Sequence, residues 1–147
     1  MPSVAGLAIP AGALTLLVPV ATIAEIVAPP AYVEPVAGGE PWLRGTFQWR
    51  NYSVTLLSFD RLATGREADE YHRACVFHPL PGRRPEDYFA VLASGEPRGV
   101  EVDEQTPDGN LPADAGTRFV AAALSVAGRD LVVPELEALR SVLYPDG

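Results

Sequence analysis

The feature that most limits the fold of this chain is its density of chain breakers. There are 13 glycines and 15 prolines in 147 residues, one about every five residues. Proline inside a helix costs about 3 kcal/mol, so a helical bundle is excluded. What remains is short extended runs between closely spaced turns, the pattern of a β-sandwich or barrel. Hydrophobic residues make up 48% of the chain, enough to fill a core. The length suits one domain, or two very small ones sharing a core.

Charge narrows the partners. Eleven basic residues, all of them Arg, face 19 acidic ones, for a net charge of −8. Without a basic stripe, neither nucleic acid nor an anionic membrane surface is an expected partner. From Met1 to Ala24 no side chain is charged. No Arg precedes Arg44, however, and Gly6, Pro10, Gly12 and Pro19 interrupt the run. It therefore reads as buried strands, at Leu14–Val18 and around Leu7–Ile9, and not as an export signal or a membrane span. The expected compartment is the cytoplasm.

Little in the sequence carries chemistry. Cys75 is the single cysteine. It lies in an apolar run and reads as a small buried hydrophobe. His72 and His78 flank one strand, six residues apart, and nothing near them has metal-ligand spacing. There is no nucleophile elbow and no glycine-rich phosphate loop. Two acidic groups, Glu67/Asp69/Glu70 and Glu101/Asp103/Glu104, contain the paired carboxylates a glycosidase needs. Both adjoin breakers, so they read as solvated loop charges. No enzyme activity, cofactor or metal is expected.

Along the chain, Thr22 and Glu25 have the spacing of a capping box, and Pro29-Pro30 stops any helix at once. This predicts a single helical turn joining two extended segments. Glu25 sits among apolar residues and must face water or find a cation. The longest run free of Pro and Gly, 46–64, divides into two strands around a turn at Arg50-Asn51-Tyr52-Ser53, with Asn51 tolerating positive φ. Residues 63–72 read as a polar connection and a subdomain boundary, with elements of the two halves intertwined. Further strands are expected at 73–77, 88–93, 98–102, 118–126 and 131–133. One clear helix is expected at 134–144, with Pro134 in its first position and Leu136, Leu139 and Leu143 on one face. No repeat of fixed period is visible.

The segment Trp42-Leu43-Arg44-Gly45-Thr46-Phe47-Gln48-Trp49-Arg50-Asn51 is rich in Arg and aromatic residues, the types that dominate protein–protein hot spots. It reads either as such a surface, which makes Trp49 and Arg50 binding candidates, or as a core hairpin with Trp49 buried and Arg50 at its tip.

This segment also carries a resemblance. Residues 18–27, Val-Pro-Val-Ala-Thr-Ile-Ala-Glu-Ile-Val, resemble the hydrophobic-Pro-Val segment ending in Glu-Ile of CheW-like chemotaxis adaptor domains. Residues 42–51 resemble that family's Arg-Gly hairpin, and residues 54–62 its following strand. Residues 88–102 and 131–136 are similar to the version in chemosensory-pili (ChpC-like) adaptors. Asn51 and Thr55 depart from the pattern, standing where the family usually has Gly and Pro.

The resemblance implies an all-β fold over residues 1–147: two SH3-like five-stranded β-barrels sharing a core, with one C-terminal α-helix. It implies a non-enzymatic adaptor that joins the regulatory domain of a CheA-type histidine kinase to the cytoplasmic tip of methyl-accepting chemoreceptors. The setting would be a system governing type IV pili and twitching motility, with recruitment to inner-membrane receptor arrays. By position, Ile23, Glu25, Gly45 and Arg50 fall near the receptor-facing groove, with Glu25 and Arg50 as a pair. Breaking such a pair, if buried, costs ~3–5 kcal/mol. A small-molecule-binding β-barrel sensor is the alternative, and it requires an apolar pocket of about 300 Å3 or more.

Overall fold

A computed structural model describes residues 2–112 and 116–145. Ten strands form two five-stranded sheets. They are β1 (Val4–Ala11), β2 (Leu14–Pro19), β3 (Ile23–Val27), β4 (Leu43–Trp49), β5 (Tyr52–Leu57), β6 (Arg73–Phe77), β7 (Phe89–Ala93), β8 (Arg98–Val102), β9 (Val120–Val126) and β10 (Arg129–Pro134). The first sheet runs β8-β1-β2-β10-β9 and the second β3-β6-β7-β5-β4. Among the described strands, only β2/β10 and β5/β7 are parallel.

The two sheets share one hidden plan. Number the second sheet by its own strands and its order is 1-4-5-3-2. Number the first from β8, with β1 and β2 as its last two strands, and the order is the same. The likeness extends to detail. Strand 2 and strand 3 are joined in both by a two-residue turn with positive φ throughout: Arg50-Asn51 in one, Ala127-Gly128 in the other. A bridge from the preceding loop reaches strand 2 in both, Glu34 to Thr46 and Asp108 to Leu124. A helix follows strand 3 in both, α1 (Phe59–Thr64) and α2 (Leu136–Leu143). Residues 65–72 therefore link α1 to β6, between two strands of the second sheet. The chain changes sheets at 19–23 and again at 93–98.

Strand alternation divides the core into three. Val54, Leu56, Ala74, Val76, Ala90 and Leu92 point into the second barrel. Ala8, Leu17 and Leu131 point into the first. The opposite faces, including Leu14, Leu16 and Val18 of one sheet and Cys75, Phe77, Phe89 and Val91 of the other, meet in a core between them that Leu139 of α2 also enters. Cys75 is fully buried, and burial, with the Glu96 charge as a lesser cause, pushes its thiol up to about 12.

Several local expectations need correction. Residues 59–64 form a helix that was not expected, in addition to the expected C-terminal one. Ser58 caps α1 by accepting from the Arg61 amide. The C-terminal helix starts at Leu136 with Glu135 as its cap, while Pro134 still belongs to β10. Thr22 and Glu25 make no capping box. Residues 20–22 are one 3-10 turn, the Thr22 hydroxyl donates to the Pro19 carbonyl, and Glu25 is already in β3. Among the described residues no helix is long and apolar enough to cross a membrane.

Candidate functional site

The open edges of the second sheet, β3 and β4, come together at one end of the barrel. Trp49 ends β4, and its indole Nε1–H donates to Glu25 Oε1 of β3 at 2.8 Å. Arg50, placed at the hairpin tip by its left-handed φ of 46°, approaches the same oxygen at 3.1 Å. Its guanidinium carbon also lies 4.6 Å from the centre of the Trp49 ring. This is the core-hairpin arrangement, with Trp49 buried and Arg50 at the tip. Trp49 is buried at 8% exposure, while Arg50 presents its charge on the outside. The Glu25 and Arg50 side chains are 41% and 62% exposed, which makes the pair a surface contact worth at most about 1 kcal/mol, below the cost expected of a buried pair.

Trp49 belongs to an aromatic cluster. Tyr88 lies 4.9 Å and Tyr52 6.1 Å from its ring, and the two tyrosines are 4.8 Å apart. His78 extends the row at 5.9 Å from Tyr88. His78 is also one wall of an apolar groove of about 290 Å3 between the barrels. Leu17 and Pro19 of β2, Leu80 after β6, and Val133 and Leu136 near the C-terminus line the rest. A row of ring contacts, His78 to Tyr88 to Trp49, links the groove to the Glu25/Arg50 pair.

Ile23 and Gly45 sit differently. Ile23 opens β3 half-buried, packed on the shared core. Gly45 is buried inside β4 at φ 131°, and a Cβ there would collide with the Glu34 carbonyl. It lets the 28–42 strap close against β4 through two hydrogen bonds between Glu34 and Thr46.

Two polar clusters escaped sequence reading. Asp60 is fully buried. It accepts from the Ser58 hydroxyl, from Tyr71 Oη at 2.8 Å and from the Ala68 amide at 2.9 Å. It thereby holds the link from α1 to β6. Burial, the leading cause, raises the Tyr71 phenol. Asp87, also buried, pairs with Arg83 at 2.8 Å and Arg84 at 3.2 Å. Arg83 lies 3.8 Å from the Tyr144 ring centre, which ties the loop before β7 to the end of α2. A Ser-x-Asp step closing a strand signals the first cluster, and Arg83-Arg84 four and three residues before Asp87 signal the second.

The acidic clusters do not converge as a hydrolase requires. Glu101, Asp103 and Glu104 are exposed, Glu101 accepts from Ser3, and Asp103 accepts from the Gln105 amide in its own turn. Glu67 pairs with Arg44 at 2.7 Å. Among the described residues no group of three His, Cys, Asp or Glu side chains could hold a metal ion.

The family model for the CheW-like domain matches residues 5–142. The chain belongs to the CheW-like domain family. The crystal structure of the scaffolding protein TtCheW from Thermoanaerobacter tengcongensis is similar to this CheW-like chain, with a TM-score of 0.75 at 9% identity, covering 92% of this chain and 86% of that one. At that identity the likeness speaks for the fold: two SH3-like barrels, as the sequence resemblance implied. No curated protein matches the chain.

Proposed function

We propose that this CheW-like domain is a non-enzymatic cytoplasmic adaptor. It couples the regulatory domain of a CheA-type histidine kinase to the cytoplasmic tip of methyl-accepting chemoreceptors, at inner-membrane arrays. The observation that carries this reading is the apolar groove with its row of ring contacts, from His78 through Tyr88 to Trp49 and the Arg50 stacked on it. An apolar groove rimmed by aromatic and Arg side chains suits a partner helix with a buried anchor. Ile23, Glu25, Gly45 and the buried Trp49 contribute by shaping the seam; Arg50 contributes contact. The likeness of residues 88–102 and 131–136 to chemosensory-pili adaptors supports a role in twitching motility through type IV pili.

The test is binding of the purified chain to the kinase regulatory domain and to receptor fragments from the same organism. A Kd of about 1 μM or tighter is expected, weakened about tenfold or more by Arg50→Glu. Native pull-downs that recover neither kinase nor receptor would remove the reading. An unchanged twitching zone in a deletion strain would remove its pilus part.

A further inference from the structure

The shared plan of the two barrels exposes one difference between them. By the register of the strand 2–strand 3 hairpins, Trp49 and Tyr52 of the second barrel correspond to Val126 and Arg129 of the first. In the second barrel the aromatic side chains fill the mouth. In the first, where Val126 replaces an indole, the same place is a pocket of about 350 Å3. Ala8, Val100, Val126 and Leu131 give it an apolar lining, and Arg98 and Arg129 stand on its wall. Pockets of this size in barrel mouths are common ligand sites.

The charges identify the guest. Arg44, Arg50, Arg73, Arg84 and Arg140 all have carboxylate partners. Arg98 and Arg129, both exposed, meet no carboxylate among the described residues, as Arg61 and Arg118 also do not, but only these two line a pocket together. Glu96 also lines the pocket, but it is engaged by Arg73 at 3.1 Å. Two unpaired guanidinium groups beside an apolar recess fit an anionic head on an aromatic body.

We propose that the first barrel binds a small aromatic carboxylate in this pocket. The ring stands where the other barrel places the Trp49 indole, and the carboxylate meets Arg98 and Arg129. The site is independent of the groove and of the adaptor reading.

Amide NMR spectra of the intact chain, titrated with indole-3-acetate, with indole and with tryptamine, test this. Indole-3-acetate should shift the amides of residues 98–100 and 126–131 saturably. Indole should bind about tenfold more weakly, tryptamine more weakly still, and the Arg98→Gln/Arg129→Gln double variant should lose about tenfold in affinity. Val126→Trp, which supplies the missing indole, should abolish binding while the remaining amides stay in place. The proposal is overturned if no saturable shift occurs by about 10 mM. It is equally overturned if indole matches the acid, if the double variant binds unchanged, or if the shifts map to the inter-barrel groove.

Discussion

Trp49 donates its indole N–H to Glu25 across the seam where the two edge strands of the second sheet meet. One carboxylate oxygen takes both this bond and the Arg50 contact. The indole bond is sheltered and the guanidinium contact faces water. The closure of the barrel therefore depends more on the neutral donor than on the cation.

That ranking is measurable. Trp49→Phe keeps a ring but removes the donor and some buried volume, and should cost about 2–3 kcal/mol, as for a hydrogen bond to a charged group plus lost packing. Arg50→Gln should cost less than about 1 kcal/mol. Urea unfolding midpoints decide the order, and a larger loss for Arg50→Gln would contradict it.

Gly45→Ala sets a methyl against the Glu34 carbonyl in a backbone region side chains rarely adopt. Strain plus the two endangered Glu34–Thr46 bonds should cost about 3 kcal/mol or more. Gly38 also has positive φ, but open space lies around its missing Cβ. Gly38→Ala should cost only about 1–2 kcal/mol. Thermal melts of the two variants side by side test the difference, and equal losses would exclude the Glu34 collision as the cause.

Asp60→Ala removes the shared acceptor of Ser58, Tyr71 and the Ala68 amide. A loss of about 3 kcal/mol is expected, because buried donors are left unsatisfied. Hydrogen exchange should show the Ala68 amide losing protection first. Asp69→Ala, on the exposed part of the same link, should be near neutral.

Acid should act through Asp87. Burial alone would raise its carboxyl, but hydrogen bonds from Arg84 and Arg83 outweigh that, and the group lies below the usual carboxylate range. A carboxyl lowered by folding stabilises the folded state above its unfolded value of about 4, and loses that contribution as pH falls through the folded value. Asp87→Asn should therefore be less stable at neutral pH and should show a shallower decline below about pH 4. Parallel curves for the two proteins would rule this out.

Strand positions were legible because breakers bound them and alternation marks them. The spans 73–77 and 98–102 match β6 and β8 to the residue. The helix at 59–64 was hidden by its brevity, since six residues show too little periodicity to separate them from the end of a strand. The capping spacing of Thr22 and Glu25 misled for the opposite reason: tertiary contacts gave Glu25 a better partner in Trp49. The Glu25/Arg50 meeting was foreseen through family resemblance, whereas the groove joins residues far apart in sequence, from Leu17 to Leu136. The duplicated plan left no repeat because Trp49 and Val126, or Asn51 and Gly128, satisfy the same backbone with different side chains.

The crossing of the chain between sheets orders events at the ribosome. Strands β3–β7 are contiguous, so the second barrel, with Glu25, Trp49 and Arg50 in place, holds all its strands once residue 93 has emerged. The β1–β2 hairpin, made first, must wait for residues 98–134 before its neighbours exist. Early termination would thus release a chain with its seam assembled and an orphaned, apolar leading hairpin, a species prone to self-association.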